Sequence, residues 1–207
     1  MPPDTTIHIV DDDHSFRTAI GGLLSASGYG VALYNSARDF LETFSPASSG
    51  CILLDVQMPG LSGLELQSRL KSAECSMPII FLTGHADIPT AVRTMKAGAQ
   101  DFLCKPIRRD DLIRVVEEAL ANAVVEQRRR ERLRVLQARL GGLTPRENQV
   151  FALIVRGKLN KQIAYELGTS ERTIKAHRHA VMEKLNTRSV AELVLIAEHL
   201  GKLPPTD

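Results

Sequence analysis

The 207-residue chain has no tryptophan, only 4% aromatic residues and three cysteines. Cys51, Cys75 and Cys104 lack CxxC spacing and are odd in number, which argues against a disulfide framework and against zinc. They are expected to be small buried apolar residues. No apolar run approaches the about 20 residues needed to span a bilayer. The opening MPPDTTIHIVDDD has neither a basic start nor a long apolar stretch, so no signal peptide is expected and a cytoplasmic protein is. What is present, 43% hydrophobic and 24% charged residues, is the composition of a soluble globular protein, long enough for one large domain or two small ones.

The net charge of +2 conceals an asymmetry. Residues 1–125 carry ten Lys/Arg and fifteen Asp/Glu, net −5, and residues 126–207 carry sixteen and nine, net +7. Two modules with different partners would produce such a split, and the basic one could face nucleic acid.

In the acidic half short apolar runs recur: IHIV (7–10), VALY (31–34), ILL (52–54), IIFL (79–82) and FLC (102–104). Helical patterns lie between them, at 14–27, 64–73, 88–99 and 110–124. In the first, Phe16, Ile20, Leu23 and Leu24 share a face; in the third, Pro89 falls in the first turn, where its missing N–H does no harm. Five strands alternating with helical segments predict a parallel sheet covered on both faces. Strands buried on both sides should read as continuous apolar runs, as these do.

Polar residues punctuate the same end of four strands. Asp11, Asp12 and Asp13 follow IHIV, Asp55 follows ILL, Thr83-Gly84 follow IIFL, and Lys105 follows FLC. In parallel sheets ligands bind beyond the carboxyl ends of the strands. Crowded carboxylates repel and call for a cation, and a hard divalent ion such as Mg2+ prefers oxygen ligands. Lys105 adds fixed positive charge and Thr83 a hydroxyl donor, a set suited to an anion such as a phosphoryl group on Asp55. Asp13 reads as a solvated helix cap, His85 as a loop residue, and Met58-Pro59-Gly60 as turn chemistry.

VDDD (10–13), LLDVQMPGLSGLEL (53–66), IIFLTGHAD (79–87) and DFLCKP (101–106) occur in this order. Through them residues 5–125 resemble the receiver domain of two-component response regulators, with a flavodoxin-like five-stranded parallel sheet. The resemblance implies that a partner histidine kinase phosphorylates Asp55. It implies further that Asp12 binds Mg2+ directly and Asp11 through water, and that the Gln57 carbonyl completes the metal site. Thr83 and Lys105 would hold phosphoryl oxygens, Thr83 and Phe102 would form the switch, and the Lys105-Pro106 bond would be cis.

Residues 118–140 contain neither Pro nor Gly, and Leu133, Leu136 and Leu140 repeat at helical spacing. A helical linker is expected over 126–142, ended by Gly141-Gly142. The Arg128–Arg130 run is expected on a solvated face.

Beyond it, Thr144-Pro145-Arg146-Glu147 is a capping box with Pro at the first helical position. A helix follows to Gly157, then NKQIAYELG (160–168), the Gly168-Thr169 turn, a longer helix capped by Ser170 over 171–186, and a last one capped by Ser189 over 190–200. A short helix, a tight turn and a longer helix form the helix-turn-helix pattern, whose second helix enters the major groove. At about 100° per residue, Ile174, Val181 and Leu185 share the core face. Arg172, Lys175, Ala176, His179 and Glu183 lie opposite. Arg178 reads as a phosphate contact and His177 as half-buried packing.

The run LTPRENQVFALIVRGKLNKQIAYELGTSERTIKAHRHAVMEKL places residues 143–201 in resemblance to the LuxR/FixJ-type effector domain, an all-α four-helix fold. The resemblance puts Lys175, Ala176 and His179 at base edges and Lys161 and Arg188 near phosphates. The whole chain, with a receiver at 1–125 and an effector domain at 143–207, resembles a FixJ-subfamily transcriptional regulator. It would be phosphorylated, would dimerise through a face including Val92, Met95 and Ala99, and would act on promoter DNA with RNA polymerase, as an activator. Two alternatives stay open: an Asp-nucleophile phosphohydrolase, although Gln57 stands where such enzymes place a second acid, and a regulator whose basic half binds RNA or protein.

Overall fold

The computed structural model describes residues 5–45, 48–84 and 88–203, the side chains of 88–91 excepted. Contacts divide the chain into two compact units, residues 1–127 and 128–207.

In the first unit five strands, β1 (Thr6–Val10), β2 (Gly30–Tyr34), β3 (Gly50–Asp55), β4 (Ile79–Thr83) and β5 (Asp101–Cys104), form one parallel sheet in the order β2-β1-β3-β4-β5. This is the flavodoxin-like order. The helices α1 (His14–Ala26), α2 (Ala37–Thr43), α3 (Gly63–Ser72), α4 (Ile88–Lys96) and α5 (Arg109–Gly141) follow the strands in turn. The two faces of the sheet carry separate cores. Ile7, Ile9, Leu53, Ile80 and Leu82 pack with Ile20 and Leu24 of α1 and Leu112, Val115 and Val116 of α5. Val10, Ile52, Leu54 and Phe81 pack with Phe40 of α2 and Leu66 and Leu70 of α3. Both cores draw on alternate residues of the same strands, which explains why the strands read as unbroken apolar runs.

Some expectations shift. The five apolar runs are all strands, most of them reaching one or two residues further. Helix α2, which showed no distinct helical pattern in sequence, has only seven residues, started by the Ser36 hydroxyl accepting the Asp39 N–H at 3.1 Å. Of the cysteines only Cys51 is buried; Cys75 is half-buried and Cys104 exposed. Burial pushes the Cys51 thiol up to about 12, so it is an inert core group. Met95 and Val92 are exposed, but Ala99 belongs to the core and cannot contribute to a surface contact.

The second unit contains the end of α5 and four helices, α6 (Pro145–Val155), α7 (Asn160–Glu166), α8 (Glu171–Leu185) and α9 (Val190–His199). Val150, Phe151, Ile154, Ile163, Ile174, Val181, Leu185, Leu193 and Ala197 form its core. Leu136 and Leu140 of α5 pack against that core, so two leucines of the linker stripe belong to the effector unit. The Thr144/Glu147 capping box starts α6 with both of its hydrogen bonds. Lys184 of α8 then ties to Glu147 at 2.6 Å, fastening α8 to the start of α6. Asn186 ends α8 in the left-handed conformation, with φ of 52°, a conformation that asparagine tolerates.

Candidate functional site

The order of the strands reverses direction between β1 and β3, and this is where a doubly wound sheet opens a crevice at its carboxyl end. Asp11 is the first residue past β1 and Asp55 the last of β3. Asp11 is fully buried and Asp55 is 5% exposed. Isolated carboxylates could not remain ionised there at low cost. Their counter-charge is Lys105, one residue past β5, whose Nζ lies 2.6 Å from Asp11 Oδ2 and 2.8 Å from Asp55 Oδ1. A single ammonium thus spans two acids from strands that are neighbours in space and 44 residues apart in sequence.

Each acid has a second partner. The Asp13 N–H donates to Asp11 Oδ1 at 2.9 Å, and the Gln57 N–H to Asp55 Oδ2 at 2.9 Å. The buried Arg17 guanidinium donates to the Asp11 carbonyl, pinning the turn after β1. The Asp55 carboxyl is held above the usual range: burial raises it, and the Lys105 ammonium only partly offsets that. Lys105 is itself raised; burial works against its charge, and the hydrogen bonds to Asp11 and Asp55 outweigh burial. A desolvated carboxylate with incomplete neutralisation is a better nucleophile than one in water.

The surrounding backbone is shaped to hold Asp55. A Cβ on Gly63 would lie 2.2 Å from the Asp55 carbonyl oxygen, so only glycine allows α3 to begin so close to β3. The Gly63 N–H donates to Val56 O at 3.1 Å, and Ser62 and Glu65 close a capping box at the same point. On the far side, the Lys105 N–H donates to the Thr83 carbonyl at 2.7 Å, and Lys105-Pro106 is cis. Thr83 ends β4 at 4% exposure, beside this group. Phe102 of β5 is half-buried and packs on the core shared with Phe81. Asp12 is exposed at the rim, and Asp13 caps α1 by accepting the Phe16 N–H at 3.1 Å. His85 lies outside the described residues.

Among the described residues no three ligating side chains converge as a cage. The oxygen donors nevertheless suit Mg2+, which keeps several waters and needs one or two carboxylates. Asp11 and Asp55 are already brought together, and their pair keeps one negative charge beyond that of Lys105. Asp12 and the Gln57 carbonyl border the same turns.

The second unit presents a different surface. On α8, Ile174, Val181 and Leu185 are buried, while Arg172, Lys175, Ala176, His179 and Glu183 are exposed. His177 and Arg178 are half-buried on the flanks. Lys161 and Arg188 are exposed. Lys161 and Arg178 line one groove of about 580 Å3 with Lys158 and Asn160, two residues that sequence reading did not single out. Lys158 is tied to Glu166 at 2.8 Å. Arg17 and Phe16 of the first unit were also not singled out as site residues. Arg17 had a legible signal, since it falls three residues before Ile20 and seven before Leu24, on the apolar stripe of α1.

Comparison with known proteins agrees with both units. Residues 7–117 match the response regulator receiver domain, and residues 142–197 match the bacterial regulatory proteins of the luxR family. The transcriptional regulatory protein FixJ of Azorhizobium caulinodans is 41% identical over 207 residues, covering 100% of this chain and 98% of FixJ. The response regulator protein TodT of Pseudomonas putida is 41% identical over 196 residues, covering 95% of this chain and 86% of TodT. Among solved structures, the response regulator StyR superposes with a TM-score of 0.80 at 45% identity, covering 94% of this chain and 98% of that one. A receiver with its acids at the strand ends, a helix-turn-helix later in the sequence and end-to-end similarity to FixJ lead to one conclusion: the chain belongs to the two-component response regulators that join a receiver to a luxR-type DNA-binding domain.

Proposed function

We propose that Asp55 accepts a phosphoryl group from the phosphohistidine of a sensor kinase, and that the acyl phosphate switches the chain to promoter binding. The bridging of Asp11 and Asp55 by Lys105 carries this reading. An oxygen of Asp55 forms a bond to phosphorus as the P–N bond of the phosphohistidine breaks, and the electron pair returns to the imidazole. Burial leaves Asp55 basic enough to attack, and Lys105 keeps it ionised. After transfer Lys105 and Thr83 contact phosphoryl oxygens. Asp11, Asp12, Asp55 and the Gln57 carbonyl would hold Mg2+, which when bound neutralises charge on the phosphoryl oxygens.

Thr83 and Phe102 form the switch: a phosphoryl group beside Thr83 favours a more inward Phe102 ring and reshapes the face that exposes Val92 and Met95. Phosphate helps only to the extent that it binds the active arrangement better. Dimerisation through that face pairs two recognition helices on a two-fold site. Lys175, Ala176 and His179 read base edges, with Arg172 beside them, while Lys161, Arg178 and Arg188 hold phosphates. The output is activation of transcription by RNA polymerase in the cytoplasm, with no catalytic turnover of its own. The working divisions are a receiver at 1–125, a linker at 126–142 and an effector domain at 143–207.

Two measurements test this. Acetyl phosphate should label the wild type and leave Asp55→Asn unlabelled; label persisting in the peptide that contains residue 55 would overturn the assignment. Genome-wide DNA capture should enrich defined promoters only with phosphodonor present, and equal enrichment without it would overturn the switch.

A further inference from the structure

Three groups surround the Lys105 ammonium. Two are the carboxylates of Asp11 and Asp55. The third is the ring of Phe16, whose centroid lies 4.2 Å from Lys105 Nζ. This is well inside the distance at which an aromatic face attracts a cation. Phe16 comes from α1, and the core on that side of the sheet packs against it. Its backbone N–H is engaged by the Asp13 cap, which anchors the residue at the start of α1, and its ring packs on the core. Lys105 is only 19% exposed at its side chain, so the attraction operates with little water present to screen it.

We propose that Phe16 is a positioning residue for phosphoryl transfer, acting through Lys105 by a cation–π contact. The inference rests on the reading of Asp55 as acceptor. A lysine is a point charge on a flexible stem and is poorly fixed by charge alone. Two acids alone would let the ammonium slide between them. The ring, 4.2 Å from Nζ, adds a third attraction and helps hold the charge where a phosphoryl oxygen arrives on Asp55. It also offers no acceptor lone pair, so it attracts the ammonium without competing as strongly as an acid would when Lys105 turns towards phosphate.

The test compares aromatic with merely apolar side chains at residue 16 in the full-length protein. Acetyl phosphate labelling should slow about three- to tenfold in Phe16→Leu, the range a partly desolvated cation–π contact supports. Phe16→Tyr should stay within about twofold. Site-specific fluorination of the Phe16 ring, which drains its face of charge at nearly constant volume, should slow labelling step by step. Phe16→Leu should cause no further loss when added to Lys105→Met. A metal-free, phosphate-free readout is the ε-methylene proton shift of Lys105, displaced upfield by the ring in wild type and Phe16→Tyr but not in Phe16→Leu. Labelling of Phe16→Leu at the wild-type rate would overturn the inference, as would indifference to fluorination or an equal loss with and without Lys105. Failure of the acceptor reading looks different: wild type itself would then carry no label on Asp55, while the Lys105 shift would still report the ring.

Discussion

The two units use charge in opposite ways. The receiver buries two acids of its candidate site, Asp11 at 0% and Asp55 at 5% exposure, with the half-buried Lys105 bridging them. The effector unit exposes its own, with Arg172, Lys175, His179, Lys161 and Arg188 all open to solvent. Making a bond to phosphorus benefits from desolvation, because a dry carboxylate is reactive and a fixed ammonium acts at full strength. Binding a polyanion needs the reverse, since affinity comes from displacing counterions into water. A single residue type therefore means different things in the two units. Lysine is a half-buried clamp in one and a solvent-exposed charge in the other.

This contrast is broken most severely at Asp55. Asp55→Asn should abolish labelling completely while leaving the salt dependence of non-specific DNA binding unchanged, as followed by fluorescence anisotropy over a salt series. A changed salt slope would mean that the acid site and the basic surface are not separable. Next in size is the effector core. Ile174 is fully buried behind the exposed face of α8. Ile174→Ala should destabilise the effector unit by about 2–5 kcal/mol and weaken DNA binding, yet acetyl phosphate labelling should persist. Urea denaturation monitored with labelling at each step would check this.

Much of this contrast could be read in the sequence. The five apolar runs became the five strands because parallel strands are buried on both faces, leaving no alternation to confuse the pattern. The exposed face of α8 followed from Ile174, Val181 and Leu185, since helical period alone decides which residues lie opposite. Helix α2 was not located because only Ala37 and Phe40 of its seven residues are buried. The contact of Phe16 with Lys105 could not be read, because it joins side chains 89 positions apart through a fold that no local pattern encodes. Phe16 looked like one more apolar residue on the face with Ile20 and Leu24. The same holds for the cysteines. Composition gives Cys104 a buried prior, and only its place at the end of β5 makes it exposed.

Within the effector unit, smaller effects should separate base reading from backbone binding. Lys175 on the exposed face of α8 should cost about 1–3 kcal/mol in specific affinity when changed to Ala, with little change for random DNA. Lys161→Ala should weaken both equally and reduce the slope of log affinity against log salt by about 0.9. Paired binding isotherms on promoter and random duplexes would reveal it, and identical behaviour of the two variants would remove the assignment of α8 as the reading helix.

The smallest effect has opposite signs in the two units. Glu147 is held below the usual carboxylate range, first by Lys184 and then by the Thr144 N–H. A lowered folded value means that its ionised form stabilises the effector unit above the unfolded value of 4.5 and that this contribution is lost as pH falls through the folded value. Glu147→Gln should therefore lower the urea midpoint at neutral pH, and the deficit should fade as pH falls below the unfolded value of 4.5 and through the lower folded one. Asp55 is shifted the other way, chiefly by burial. Ionising it costs stability, and that cost is fully present above its folded value and disappears towards 3.8. In EDTA, Asp55→Asn should therefore raise the midpoint at neutral pH, by an amount that shrinks on acidification. Variants whose midpoints move in the same direction would mean that Lys105 neutralises Asp55 as completely as Lys184 neutralises Glu147, and that the receiver acid is not held in the reactive state from which phosphoryl transfer starts.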